Sequence, residues 1–254
     1  MTTRTHSSRK GFTLIELLTV IAIIGILASI LIPTIGNVIT TAKKAAAQNN
    51  ASQIAKTYIA YSNSGSNTRT IRTTEMAGGG GSANEGVANT IEDVAFILAK
   101  FTQLNDASLW FIKADDNLTG VTIPKVVIIG NMQDANAPSP DFNNAKPKSW
   151  AFAIGLSTSA QSTSTPLLWT YGLGHNGIWA NSSPWKGSGG HIAYLDGHVE
   201  WADKLTTDAS GISFTGYATS AKAGQPTVDY TDAVNSKAKV LNSDGGQGAA
   251  TTGK

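Results

Sequence analysis

The chain has 254 residues, of which 19 are Lys or Arg and 17 are Asp or Glu, and it contains no Cys. A formal net charge of +2 is too close to neutral for a protein that binds nucleic acid mainly through phosphates, and the lack of Cys excludes zinc fingers, iron–sulfur proteins and thiol enzymes. Only 14% of the residues are charged, against about 25% in soluble domains, and Gly, Ser, Thr and Asn take their place.

The N-terminus begins with a basic segment and continues into a long apolar run. Residues 1–10 contain Arg4, Arg9 and Lys10 but no acid, and from Phe12 to Ile32 the chain is almost wholly apolar. A helix needs about 20 apolar residues to cross a bilayer, so this run is long enough. Because positively charged flanks stay in the cytoplasm, the pattern predicts a single-pass membrane helix with a cytoplasmic N-terminus.

Three interpretations fit this run: a cleaved secretory signal peptide, a plain signal anchor, or a membrane segment with a functional acid. The apolar part of a secretory signal spans about 7–15 residues and ends at a small-residue site. This run is longer, and Pro33 is followed by Thr-Ile-Gly-Asn, a poor cleavage site. Glu16 lies inside the run, and an ionisable group in a membrane segment costs at least about 2.5–3.5 kcal/mol. Either Glu16 reaches water at the interface, or it has a function.

Around Glu16 the chain reads Arg9-Lys10-Gly11-Phe12-Thr13-Leu14-Ile15-Glu16-Leu17-Leu18. This sequence resembles the class III signal of type IV pilins and type II secretion pseudopilins. The resemblance implies that a prepilin peptidase cuts between Gly11 and Phe12 on the cytoplasmic side, and that Phe12 is then N-methylated. It also implies that Glu16 acts in assembly, paired with the free α-amino group of a neighbouring subunit's Phe12.

The helix is predicted to continue beyond the apolar run. From Ile35 to Tyr61 apolar residues recur mostly at helical spacing, and Ser62-Asn63-Ser64-Gly65 ends the pattern. Pro33 removes one backbone donor and is expected to kink the helix. The predicted N-terminal organisation is a leader at 1–11, a membrane or filament-core helix at 12–33 and an amphipathic extension at 34–64.

Residues 65–204 are predicted to form a globular α+β domain with one short helix and an antiparallel sheet. Residues 65–90 are polar and Gly-rich and indicate a loop. Thr90 is a candidate cap for an amphipathic helix, whose apolar face comprises Ile91, Val94, Ala95, Leu98 and Phe101. The strand candidates that follow are Leu109–Lys113, Val121–Gly130, Trp150–Ile154 and Leu167–Tyr171.

The strongest hairpin signal is Asp196-Gly197, between two runs rich in apolar residues. Asp-Gly is a preferred two-residue type I′ loop, so it predicts that Leu195 pairs with His198. The residues that would then share the buried face are Ile192, Tyr194, Val199 and Trp201.

The same segment resembles a C-terminal motif of some prepilin-like proteins, in which a His and nine further residues precede Asp-Gly. Asp196 and Gly197 match this motif, but Lys186 stands where the motif has His. The motif is therefore degenerate in this chain.

The sequence carries no recognisable catalytic motif. It has no nucleophile motif, phosphate-binding loop or dinucleotide fingerprint, so we predict a protein that is not an enzyme and has no cofactor. His175, His191 and His198 lack a typical metal-ligand spacing, and Asp196 is explained as a turn residue.

Whether the chain binds a structural calcium ion is left open by the sequence. The resemblance raises this question, because major pseudopilins carry a calcium loop near the C-terminus. Asp203, Asp208 and the cluster Asp115-Asp116-Asn117 could supply oxygen ligands, although none has the spacing of a recognisable calcium loop. The metal ligands are therefore left unknown.

Residues 205–254 form a polar tail of Thr, Ser, Ala, Gly and Asn. Its low apolar content predicts disorder beyond Lys237.

The resemblance implies a structural subunit of a type II secretion pseudopilus that supports protein export. Its partners would be further copies, other pseudopilins, prepilin peptidase and the inner-membrane assembly platform, and no nucleic acid is expected. The precursor would lie in the bacterial inner membrane, and the filament in the periplasm or at the cell surface. The lack of Cys favours a pseudopilin, since many pilins close a C-terminal loop with a disulfide.

Two alternatives stay open. One is a type IV pilus subunit for adhesion, motility or DNA uptake. The other is a membrane-anchored carbohydrate-binding protein, in which exposed Trp179 and Trp185 would stack on sugars.

Overall fold

The computed structural model describes residues 12–64, 70–208, 211–218, 220–242 and 251–252, so the predicted leader at 1–11 lies outside it. Internal contacts divide the chain into two units, residues 1–42 and 43–254. The helices are α1 (Leu14–Ser62), α2 (Ile91–Thr102), α3 (Pro140–Asn144) and α4 (Tyr230–Ala233). The strands are β1 (Trp150–Ile154), β2 (Pro166–Thr170), β3 (Gly190–Tyr194), β4 (Val199–Ala202), β5 (Phe214–Thr215), β6 (Pro226–Thr227), β7 (Lys239–Leu241) and β8 (Thr251–Thr252).

The long N-terminal helix predicted from the apolar run is confirmed as α1. In the first unit, every large apolar side chain from Leu14 to Ile32 is exposed. Among the described residues, α1 is the one helix long and apolar enough to cross a membrane. The described residues of this unit therefore leave its apolar surface uncovered.

In the second unit, α1 buries one stripe against the globular fold. The Tyr58 ring packs edge-on against Phe152 of β1, with ring centroids 5.8 Å apart. Near its end, Tyr61 contacts Phe101 of α2 at the same distance. The buried stripe of α1 consists of Ala47, Ala51, Ile54, Ala55, Tyr58 and Tyr61.

The second predicted helix is confirmed as α2, and Thr90 caps it. The Thr90 side chain accepts a hydrogen bond from the Asp93 backbone, while the Asp93 carboxylate accepts one from the Thr90 backbone. On the predicted apolar face of α2, Phe101 in the last turn is 39% exposed, whereas the other four members are buried. An ion pair with buried Lys148 holds the first turn of α2: Lys148 Nζ lies 2.9 Å from Oε1 of half-buried Glu92.

The centre of the globular unit is a six-stranded antiparallel sheet in the order β4-β3-β2-β1-β7-β8. The strands predicted at Trp150–Ile154 and Leu167–Tyr171 are confirmed as β1 and β2. All residues of β1, β2 and β3 are buried, so both faces of these strands are covered. A two-stranded sheet, β5-β6, lies outside this main sheet.

Two predicted strands are wrong. Leu109–Lys113 overlaps a 3₁₀ turn at Ala107–Trp110, because the Asp106 side chain caps that turn by accepting the Ser108 N–H. Val121–Gly130 has the composition of a strand but forms none. The backbone groups of residues 126–128 form hydrogen bonds with Asn105 and Ser139 instead of with a neighbouring strand.

The prediction of a disordered tail beyond Lys237 is also wrong for residues 238–242. Strand β7 pairs with β1, with Val240 opposite Ala153. Ala238 and Val240 are fully buried and Leu241 almost so. A low average apolar content did not exclude this strand, because a few apolar residues in succession suffice to pair with a buried neighbour.

Candidate functional site

The start of α1 is organised by a reciprocal pair, Thr13 and Glu16. The Thr13 backbone N–H and its hydroxyl both donate to Glu16 Oε2, at 2.9 and 2.7 Å. In return, the Glu16 backbone N–H donates to the Thr13 hydroxyl oxygen at 3.3 Å. This is a capping box, which satisfies backbone donors that a helix N-terminus otherwise leaves open. The spacing Thr-x-x-Glu is its sequence signal, and the sequence interpretation of Glu16 missed it.

The two residues predicted for processing, Gly11 and Phe12, directly precede this capping box. Phe12 precedes the helix and is exposed, whereas Gly11 lies outside the described residues. Glu16 itself is exposed in the first turn. A carboxylate near a helix N-terminus is favoured by the positive end of the helix dipole. The capping box thus holds the Glu16 charge at the N-terminal end of an exposed apolar helix.

Pro33 lies within the bounds of α1, and the kink expected there stays a prediction.

The predicted hairpin turn joins β3 and β4, and Asp196 and Gly197 lie in it. The predicted register is wrong by one residue, because His191 pairs with Trp201 and Ala193 with Val199. The turn has three residues instead of two, since the Tyr194 N–H donates to the His198 carbonyl. Gly197 has a φ of +87°, the left-handed conformation typical of such a turn.

The one-residue shift changes which side chains share a face. Tyr194 stacks on His198 with ring centroids 4.3 Å apart. Trp201 instead lies beside His191, at 4.9 Å. The predicted common face of Tyr194 and Trp201 is therefore wrong, because a shift of one residue turns every side chain of a strand over.

Asp196 bonds within the turn. Its Oδ1 accepts the His198 backbone N–H at 3.0 Å and is paired with the His198 ring. Partial burial alone would raise the pKa of the Asp196 carboxyl, but these hydrogen bonds outweigh it and the pKa falls below its usual range. The geometry gives Asp196 a structural role in the turn.

The three histidines of the globular unit lie in different surroundings. His175 Nδ1 is 2.9 Å from Asp229 Oδ1, and its ring stacks on Tyr230. His191 is buried, with 1% exposure, and His198 lies at the hairpin turn. In the described part of the chain, no three His, Asp or Glu side chains gather into a group that could hold a metal ion.

The carboxylates considered for calcium have hydrogen-bond partners of their own. Asp203 accepts the Trp201 indole N–H at 2.7 Å, and Asp208 accepts the Thr206 hydroxyl at 3.0 Å. Asp115 is buried and accepts hydrogen bonds from Asn117 and Tyr171. Burial nevertheless raises the pKa of Asp115, although its hydrogen bonds act in the opposite direction.

The prediction of exposed Trp179 and Trp185 is wrong. Trp179 is 2% exposed and its indole N–H donates to the Thr170 carbonyl. Trp185 is 6% exposed and packs against Trp201 and His191. Neither ring offers the open face that stacking on a sugar requires.

Comparison with known proteins identifies the N-terminal segment. Residues 6–32 match the family described as prokaryotic N-terminal methylation motif. No curated protein and no solved structure matches the chain. The matched residues include the predicted cleavage site, the capping box and the exposed apolar part of α1. The match identifies residues 6–32 as a prepilin-type signal like that of type IV pilin-like proteins, and in this chain it overlaps the start of the long helix α1.

Proposed function

We propose that this chain is a structural subunit of a type II secretion pseudopilus, cut by prepilin peptidase between Gly11 and Phe12 and assembled through α1. The observation that carries the proposal is the methylation motif, which lies at the start of an exposed apolar helix. Such a surface is unfavourable in water, so it requires lipid in the precursor and apolar helices of other subunits afterwards.

Glu16 supplies the specific contact in this proposal. It is the one charged residue between Phe12 and Ile32, and packing α1 helices together would take its carboxylate out of water. A buried charge is costly unless it is paired. Cleavage after Gly11 would create an α-amino group on Phe12, and that amine on a neighbouring subunit is the partner we propose.

The lack of Cys supports a pseudopilus subunit, because many pilins close a C-terminal loop with a disulfide. In this role the subunit would assemble with other pseudopilins at an inner-membrane platform and support protein export. The same motif also supports the second candidate, a type IV pilus subunit for adhesion, motility or DNA uptake. The burial of Trp179 and Trp185 removes the feature that favoured a carbohydrate-binding protein.

Mass spectrometry of the protein extracted from its host membrane tests the processing step. We expect a mature N-terminus at methylated Phe12. An uncut chain, or a cut beyond Pro33, would contradict the proposal. Deletion of the gene then distinguishes the two candidates: loss of secreted proteins supports the pseudopilus, whereas loss of surface filaments with normal secretion supports the pilus.

A further inference from the structure

One turn of α1 in the second unit covers the edge strand β4. The Lys44 ammonium lies 3.5 Å from the centre of the Trp201 ring, a cation–π contact. Gln48 Nε2, one turn further on, donates to the Val199 carbonyl at 3.2 Å. The helix thus occupies an edge that would otherwise leave backbone groups open to another strand.

This part of α1 is held less firmly than the part that follows it. Among residues 43–53, the apolar side chains buried are those of Ala47 and Ala51, which are small. From Ile54 onward the buried side chains include Tyr58 and Tyr61. Strand β4 also has three half-buried residues, whereas its neighbour β3 is buried throughout. On the side of α1, separation of this turn from β4 would therefore expose little apolar surface.

Two unsatisfied polar groups lie beside the Trp201 ring. His191 and Trp185 both contact Trp201, with ring centroids 4.9 and 5.5 Å away. His191 Nδ1 and Trp185 Nε1 are buried and have no hydrogen-bond partner among the residues that the structure describes. An unpaired buried polar atom destabilises the closed arrangement, and access to water would satisfy both atoms.

We propose that Lys44 and Gln48 form a releasable clamp on Val199 and Trp201, and that acidification opens this clamp through His191. The proposal concerns the second unit alone and is independent of the filament that the subunit builds.

The direction of the pH effect follows from the surroundings of His191. Burial, and then the nearby Lys44 charge, lower its pKa from 6.5 to about 4, while a hydrogen bond to the Lys44 backbone acts in the opposite direction. Lys44 is the charged group facing His191 from α1, and Asp203 lies beyond Trp201 and accepts its indole N–H. A lowered pKa means that the closed clamp holds His191 neutral. Closed-state stability is therefore complete above pH 6.5 and is lost as the pH falls from 6.5 towards 4.

A single introduced thiol can measure this opening, because the chain has no Cys. Ala47→Cys places a thiol at a residue 2% exposed beside the clamp. The full chain in detergent micelles is treated with 4,4′-dithiodipyridine, which reacts with thiols in acid. Each rate is divided by that of exposed Thr158→Cys at the same pH. With a pKa shift from 6.5 to about 4, linkage predicts a relative rate about 70-fold higher at pH 4.5 than at pH 7.5.

Two further variants make the result specific. Ala55→Cys, at a fully buried position in the firmly held part of α1, should stay protected at both pH values. His191→Phe keeps an aromatic ring but cannot titrate, so adding it to Ala47→Cys should abolish the pH dependence of the thiol rate. In a chain that combines Ala55→Cys with His191→Phe, a protected thiol at pH 7.5 shows that the His191→Phe variant still folds. If that thiol is reactive, His191→Gln is used in place of His191→Phe. The proposal is wrong if the relative rate of the Ala47→Cys thiol does not change with pH. It is also wrong if that change persists in the His191 variant, or if the Ala55→Cys thiol reacts as fast as the Ala47→Cys thiol.

Discussion

At the scale of single residues, the capping role of Glu16 can be separated from its proposed role in assembly. Its carboxylate accepts two hydrogen bonds from Thr13 within the same chain, and these cap the helix. The proposed assembly role requires its negative charge. A Gln side chain also accepts hydrogen bonds in a capping box but carries no charge. Glu16→Gln therefore keeps the first role and removes the second.

We expect Glu16→Gln and Glu16→Ala to leave membrane insertion intact and to reduce filament yield alike. Without the carboxylate, a neighbouring α-amino group would stay buried and unpaired, which costs about 3–5 kcal/mol, so the yield should fall at least about tenfold. Immunoblots of membrane fractions measure insertion, and immunoblots of chemically cross-linked subunit ladders measure assembly.

Thr13→Ser, which keeps the hydroxyl, is the matched control and should assemble normally. If Glu16→Gln assembled like the wild type while Glu16→Ala failed, capping and not charge would be the requirement, and the proposed pairing would be wrong.

At the scale of elements, the sequence correctly predicted the helices that a local, periodic pattern of apolar residues indicates. The apolar run of α1 and the cap and stripe of α2 needed no knowledge of the rest of the chain. The segments 109–113 and 121–130 are not strands, because Asp106 caps a 3₁₀ turn that overlaps the first, and Asn105 and Ser139 bond backbone groups of the second. The partners of the second segment are distant in sequence, so residue composition does not encode them.

The hairpin register shows the same limit on a smaller scale. Asp196-Gly197 correctly indicated a turn, but two-residue and three-residue loops can both carry this pair. In the structure the side chains of Lys56 and Ile59 on α1 lie next to Gly197. The length of the loop therefore depends on what the hairpin packs against. The three-residue loop sets the register in which His191 pairs with Trp201.

Gly197 offers a test of the three-residue turn. Its φ of +87° is strained for a residue with a Cβ, so Gly197→Ala should lower the free energy of unfolding by about 1–2 kcal/mol. Gly197→Asn should cost less, since Asn tolerates this conformation. Urea unfolding of the full chain in detergent, followed by Trp fluorescence, measures both.

Gly80→Ala is the control, because a Cβ there would meet nothing within 4 Å and its φ is not positive. Equal stability of the Ala and Asn variants at position 197 would show that the turn does not require the left-handed conformation.

At the scale of the whole molecule, the C-terminal residues complete the sheet. Strand β7 follows β1 in the sheet order, although more than 80 residues separate them in sequence. The sequence predicted that the globular domain ends before residue 205. In the structure there is no division there, since residues 43–254 form one unit.

Two truncations test this role of the tail. A chain ending at Asn242 keeps β7 and should accumulate and resist proteolysis like the full chain. A chain ending at Lys237 lacks β7, which leaves one edge of β1 unpaired and removes the buried side chains of Val240 and Leu241. Burial of each such side chain contributes about 1.5–3 kcal/mol, and a domain is stable by only about 5–15 kcal/mol. The shorter chain should therefore be degraded in the membrane fraction, whereas equal protease resistance of both would mean that β7 is dispensable and the sheet is complete at β1.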